Sequence, residues 1–233
     1  MTFVNNRLLK CIAGLVLFLL PLASVAGCGK TAEEVTAEVP ETSAVAEQEN
    51  SAAVVVPLPD STMENMADAT LAVSLDEGGI YVDNAGNLQM KVKIYTYDRY
   101  DLADIANLKV GDTITGYAGS VEVTALQTKE DGTVLINGGL DENGIELTTD
   151  DSGVFYEEGF SDIKSWYEIG TATIRVSADF VGCDHSDLDR GEVVFDSNDF
   201  LSGEIENYNF TPYNTTIRIA EGQVVELNRR YTP

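Results

Sequence analysis

Hydrophobic patterning divides the chain into three stretches. Residues 12–20 are an unbroken apolar run, with Arg7 and Lys10 before it and Pro21 and small residues after it. Residues 29–60 are rich in Glu, Ala, Thr, Val and Ser with no period, and Val54-Val55-Val56 is their only apolar patch. From about Met66 onward, short segments alternate apolar and polar side chains, the period of a strand with one buried face. The clearest case is Leu88, Met90, Val92 and Ile94 interleaved with Gln89, Lys91 and Lys93. A turn at Asp83-Asn84-Ala85-Gly86-Asn87 precedes it and predicts a hairpin with residues 79–83.

Residues 70–75, 113–117, 121–127, 133–137, 145–148, 154–157 and 171–178 read as further strands. Residues 215–219 and 224–228 flank Glu221-Gly222-Gln223, a three-residue hairpin signal. Residues 101–106 read as one helical turn. Residues 197–208 read as a helix capped by Asp196 or Ser197, with Phe200, Leu201, Ile205 and Tyr208 at helical spacing. Leu108 to Ile114 and Tyr167 to Ile174 share an apolar-glycine-threonine entry into a strand. No fixed period surrounds them, so they read as one glycine corner used twice, as in small barrels. The pattern predicts a mostly β domain, an antiparallel small barrel or sandwich with one short helix.

The first apolar run is too short for the roughly 20 residues that span a bilayer as a helix. Charged start, apolar run and small residues together make the pattern of a cleaved secretory signal. Its end, Val25-Ala26-Gly27-Cys28, resembles the lipobox of bacterial lipoproteins, with Val25 where leucine is commonest in that family. The resemblance implies recognition of Val25, Ala26 and Gly27 by a signal protease, cleavage before Cys28, and a diacylglyceryl group on the Cys28 thiol. A thiolate is the side chain best suited to that alkylation. Two acyl chains anchor stably where one does not. The expected location is the extracytoplasmic face of the cell membrane. The expected organisation is a signal at 1–27, a lipidated cysteine and disordered acidic tether at 28–65, and one β-rich domain at 66–233.

Composition narrows the partners. The chain carries 14 basic and 39 acidic side chains, a formal charge of -25, and loss of Arg7 and Lys10 with the signal makes it more negative still. That sign excludes nucleic-acid binding as a main function and disfavours docking on anionic lipid. Residues 29–60 are acidic and lack aromatics, so they cannot bury enough surface to fold alone. As a flexible tether of about 30 residues they would span about 30 Å r.m.s.. Of three cysteines, Cys11 leaves with the signal and Cys28 is alkylated, so Cys183 has no disulfide partner in the mature chain.

Catalytic constellations are thin. His185 is the only histidine, two residues from Cys183, whereas Cys/His sites draw their partners from separate segments. No Ser-x-x-Lys, Gly-x-Ser-x-Gly or His-Glu-x-x-His pattern occurs, and no residue is nominated as catalytic. Asp184, Asp187, Asp189 and Glu192 crowd one loop around Gly191. They are weak calcium candidates, because calcium wants six to eight oxygens and this spacing is not an EF-hand's. Phe155-Tyr156 and Trp166-Tyr167 are residue types that stack on sugars and equally that pack in cores. Phe210-Thr211-Pro212, Asn214-Thr215-Thr216 and the ending Arg229-Arg230-Tyr231-Thr232-Pro233 resemble small uncharacterised lipoproteins of Gram-positive bacteria, which implies no activity.

The expected function is a non-enzymatic binding or structural module, membrane-anchored through its lipid, acting on an envelope protein or polymer. The alternatives are an envelope enzyme using carboxylates on wall polymer or peptide, and a calcium-binding surface protein.

Overall fold

The computed structural model describes residues 51–159, 163–203, 205 and 209–232. The signal, Cys28 and the tether up to residue 50 lie outside the described residues. The first half gives β1 (Val54–Val55), β2 (Ala69–Ser74), β3 (Ile80–Val82), β4 (Leu88–Thr96), β5 (Arg99–Tyr100) and helix α1 (Leu102–Ala106). Next come β6 (Thr113–Gly116), β7 (Gly119–Glu122), β8 (Leu126–Thr128), β9 (Val134–Ile136), β10 (Ile145–Thr149) and β11 (Phe155–Glu157). The chain ends with β12 (Tyr167–His185), β13 (Val193–Phe195), helix α2 (Ser197–Ser202), β14 (Thr215–Ala220) and β15 (Gln223–Arg230).

Five strands close a ring. β2 pairs with β4, β4 with β12, β12 with β15, β15 with β14, and β14 with β2. Every pairing in the ring is antiparallel except β12 with β15. One strand can serve both neighbours because β12 is 19 residues long. Its first half runs along β4 and its second half along β15, with a break in register between Val176 and Val181. In chain order the ring reads one-two-three-five-four, with strands three and five parallel and α2 between three and four. That connectivity is the OB barrel, a five-stranded Greek key.

The alternation read from sequence fills this barrel. Met90, Val92 and Ile94 point inward with Leu71, Val73, Ile217, Val224 and Leu227, all at most 3% exposed. Phe180, Phe195, Phe200 and Phe210 pack around α2, with successive ring centroids 4.9–6.1 Å apart. Each such side chain contributes roughly 1.5–3 kcal/mol on burial. Gly182 is required by this packing, since a Cβ there would fall 2.1 Å from the Phe195 ring.

Between the second and third barrel strands the chain builds a second β unit with its own core. β5, β11, β10, β9 and β8 form one sheet, and β1, β6 and β7 another. Tyr100, Ile105, Ile114, Val123, Ile136, Leu147 and Phe155 are buried together with Val55. The protein is therefore mostly β, as its pattern predicts, with a barrel that carries an inserted unit.

Several details differ from the sequence reading. The β structure begins upstream of residue 66: Val54–Val55 pairs in parallel with β6, and Val55 is 6% exposed. Asp112, 1% exposed, explains the attachment, because its carboxylate accepts from the backbone N–H groups of Ala53 and Lys109 at 2.8 and 3.0 Å. The sheets are not purely antiparallel, since β1–β6 and β12–β15 are parallel. Residues 121–127 are not one strand. Asn137 Oδ1 accepts from the N–H groups of Thr124 and Ala125, and its Nδ2 donates to the Glu122 carbonyl, so the chain leaves one sheet for the other there. Among the described residues there are two short α-helices. α2 is capped by Asp196, as expected, but ends at Ser202 with Gly203 left-handed at φ 76°. Of the predicted continuation, Tyr208 lies outside the described residues. No helix among the described residues is long and apolar enough to cross a membrane.

Candidate functional site

The connection from β4 into the inserted unit carries six residues that alternate in and out. Thr96, Asp98 and Tyr100 are buried, and Tyr95, Tyr97 and Arg99 are half-exposed. This follows from the strand period of two, continued past the end of β4. The inward and outward sets build two different structures.

The inward set is a junction. Asp98 Oδ1 accepts from the Tyr167 hydroxyl at 2.9 Å, and its Oδ2 accepts from the Tyr117 N–H. One buried carboxylate thus ties β12 to the β6–β7 turn. The Tyr117 and Tyr167 rings stack above it, with centroids 3.9 Å apart and planes within 3°. The antiparallel register of β5 and β11 sets Tyr156 opposite Arg99, so Glu157 falls opposite Asp98. Burial and the neighbouring Asp98 charge push the Glu157 carboxyl above its ordinary range. Burial and the charges of Asp98 and Glu157 likewise push the Tyr100 phenol up, so it remains a donor, bonded to the Thr115 carbonyl at 3.2 Å.

Gly116 roofs this group. A Cβ on Gly116 would lie 2.8 Å from Asp98 Oδ2, 2.9 Å from the Tyr100 hydroxyl oxygen and 3.4 Å from Glu157 Oε2. The three oxygens converge on Gly116, where even a methyl group would crowd them, and their arrangement is that of a pinned joint.

The outward set is a surface. Tyr97 meets Trp166 edge-on at 4.8 Å and Tyr156 at 5.9 Å. The Lys164 ammonium lies 4.0 Å from the Tyr97 ring centre and 4.9 Å from that of Tyr156. It also donates to the Tyr97 hydroxyl at 2.7 Å. Upstream on the same outer face of β4 stand Tyr95, Lys93, Lys91 and Gln89. The register places Thr171, Thr173 and Arg175 of β12 beside the last three. At about 3.4 Å per residue, the stripe from Lys91 to Tyr97 is about 20 Å long.

A cavity of about 370 Å³ opens on this stripe, between Asp76, Glu77, Gly78 and Gly79 on one side and Lys91, Lys93 and Thr171 on the other. The loop is held close by a hydrogen bond from the Lys91 N–H to the Gly79 carbonyl at 2.7 Å. Lys93 pairs with Asp76 at 3.0 Å, which raises the lysine's pKa. Opposed charges leave the cavity near neutral and rich in donors and acceptors. The second and third strands and the loop after the first strand form the face that OB barrels use for oligonucleotides and oligosaccharides.

The residues nominated from sequence lie elsewhere. Cys183 is buried as a thiol on β12. His185 is exposed at the end of β12, its Nε2 3.4 Å from Glu192. Asp184 is not a loop acid. It is 7% exposed and takes the Arg229 guanidinium on both oxygens, with Nε to Oδ1 at 2.9 Å. Burial pushes the Asp184 carboxyl up, but the bonds from Arg229 and Ser186 outweigh it and bring its pKa to about 2. Asp187 accepts from the N–H groups of Asp189 and Arg190, closing its own turn. Among the described residues, no group of three or more His, Cys, Asp or Glu side chains converges as a metal site. Phe155 is a core residue and Tyr156 a surface one, as the strand period requires. Tyr97, Lys91, Lys93 and Asp98 were not singled out from sequence as site residues, although the alternation read over residues 88–94 places Lys91 and Lys93 on the outer face.

No family model, no curated protein and no solved structure matches this chain.

Proposed function

We propose that the chain is a lipid-anchored extracytoplasmic lipoprotein whose barrel binds an extended, hydroxyl-rich envelope polymer along the outer face of β4 and β12. The observation that carries the reading is the stripe itself. A near-neutral cavity of paired charges leads along one strand to the Tyr97, Tyr156 and Trp166 cluster. Ammonium, carboxylate and hydroxyl groups bond sugar hydroxyls, and aromatic faces stack on sugar rings. The chain's net charge of -25 argues against nucleic acid as its main partner. A fold does not specify a ligand, so the proposal rests on these residues and not on the barrel. The lipid anchor is supported by the Val25-Ala26-Gly27-Cys28 pattern alone.

The test uses the full chain. Trp166 is the only tryptophan, so its fluorescence reports one place. Neutral oligosaccharides of increasing length should shift that signal saturably, with affinity rising up to the length that also covers Lys91. Tyr97→Ala and Lys91→Ala should each weaken the response. A flat signal with every glycan rejects the reading of the stripe. Separately, Cys28→Ala should abolish lipid labelling and membrane retention, and labelled protein from that variant rejects the anchor.

A further inference from the structure

The two C-terminal segments that sequence reading singled out without a role meet at one place. Asn209, Thr211, Tyr213 and Asn214 line an open cavity of about 450 Å³ with residues 230–232 and Ser186, which follows β12. It lies past the end of β12 opposite to Tyr167, away from the aromatic cluster.

Among the described residues, its lining contains no carboxylate. Arg230 is its one cation, Tyr213 and Tyr231 are 47% and 48% exposed, and Ser186, Thr211 and Thr232 add hydroxyls. The neighbouring cations are already committed. The parallel register of β12 and β15 sets Asp184 beside Arg229 and His185 beside Arg230. Arg229 is spent on Asp184, and His185 faces Glu192. Arg230 forms no ion pair among the described residues. In a chain with 39 acids, a guanidinium without a carboxylate beside it is a local attraction for an anion.

The cavity is also built. Asn214 accepts from the Thr211 N–H at 3.0 Å and from the Thr215 hydroxyl at 2.6 Å, and donates to the Asn209 carbonyl at 3.0 Å. The Arg230 N–H donates to the Asn214 carbonyl at 2.9 Å, which fastens the last strand to that loop. Behind it, the Arg229 guanidinium lies 4.8 Å from the Phe210 ring centre, over the barrel core. The loop that carries Tyr213 and the strand end that carries Arg230 are therefore held before any ligand arrives, which lowers the entropic cost of binding.

We propose that this cavity is a second binding site, for an anionic sugar. The Arg230 fork takes the carboxylate or phosphate in a bidentate pair, and the Tyr213 and Tyr231 rings cover the sugar face. The site is independent of the polymer stripe and does not need it to be correct.

The experiment titrates the full chain, in detergent, with glucuronic acid, glucose 6-phosphate, inorganic phosphate and glucose, following the NMR signals of Arg230 and Asn214. Both anionic sugars should saturate, and whichever binds tighter names the anion. Glucose should bind at least about ten-fold more weakly, the scale of a lost hydrogen bond to a charged group. Arg230→Gln should weaken both anionic sugars by a similar factor without moving the thermal midpoint, since the side chain is exposed. Tyr213→Ala should weaken the sugars and leave inorganic phosphate unchanged. Equal binding of glucose, failure of both anionic sugars to saturate, or unchanged affinity in Arg230→Gln overturns the proposal.

Discussion

In the barrel each strand of the ring has a neighbour on both sides, and the buried acid Asp184 is answered by a cation, Arg229. In the inserted unit the strands lie in two separate sheets, and the buried acids Asp98 and Asp112 are answered by backbone N–H groups and one tyrosine hydroxyl. Both devices satisfy a buried carboxylate, but they do different work. The ion pair joins two strands already paired in the barrel. The backbone bonds fasten strand ends to turns, Asp112 to the Ala53 N–H just before β1 and Asp98 to the Tyr117 N–H in the β6–β7 turn. The barrel is thus held by its own closure and packing, and the inserted unit by pins at its edges. The surface stripe runs from one region to the other, so those pins also set the position of Tyr156 against Tyr97.

The largest effect should come from breaking the barrel's ion pair. Arg229→Ala leaves Asp184 buried and unpaired, which costs about 3–5 kcal/mol. In the native chain the folded pKa of Asp184 is depressed from 3.8 to about 2. Its contribution to stability is therefore complete above pH 3.8 and lost as pH falls through about 2. Urea midpoints measured from pH 7 to pH 2 should fall in this window for the native chain, and Arg229→Ala should flatten that part of the curve. An unchanged acid limb would mean that the pair is not what answers Asp184.

Next come two leucines of identical chemistry, one per core. Leu227 and Leu147 are both 0% exposed. Each mutation to alanine should cost about 2–5 kcal/mol through lost transfer energy and the cavity left behind. Their hydrogen-exchange signatures should differ. Leu227→Ala should weaken protection in β12, β14 and β15, while Leu147→Ala should weaken β9 to β11 and spare the barrel. Uniform loss from both variants would show one cooperative core and erase the comparison.

Much of the barrel was legible because its strands have one wet face. Leu88 to Ile94 alternate without error, and so do Thr171 to Val176 of the partner β12. The ring order was not legible, because it depends on β12 changing partners at Arg175, and no local signal marks a strand with two neighbours in succession. Residues 171–178, read as a strand, are the middle of that element. The edges of the inserted unit were harder. Val54 and Val55 stand in an acidic, aromatic-free stretch that composition assigns to a tether. Only Asp112, distant in sequence, draws them into a sheet. The stripe was half legible: the outward positions of β4 were placed, but nothing local brings Trp166 and Tyr156 to Tyr97. Asp184 was misread for the same reason, since its partner Arg229 lies 45 residues away.

Removing the N-terminal pin should have a middling effect. A chain beginning at Ser61 lacks Val55 and the Ala53 N–H that one beginning at Ser51 retains. Burial of one valine and one hydrogen bond to a charged group together suggest a loss of about 2–4 kcal/mol. The loss should appear in the inserted unit's exchange rates. Equal stability of the two chains would return residues 51–60 to the tether.

The smallest effect should come from Glu157, and its sign is opposite to that of Asp184. Burial and the Asp98 charge raise the folded pKa of Glu157 above 4.5. Its favourable contribution is therefore complete below pH 4.5 and lost as pH rises through the folded value, so at neutral pH the ionised side chain costs stability. Burial is the larger cause, and the Asp98 charge set opposite Glu157 just before β5 adds to it. Glu157→Gln keeps the shape and removes the charge. It should raise the urea midpoint slightly at pH 7 and leave it unchanged below pH 4.5. The gain should reside in the inserted unit, because Asp98 is the group relieved and Asp98 pins that unit to β12. A variant that loses stability at pH 7 would mean that the carboxylate, despite its neighbour, holds a bond the amide cannot replace.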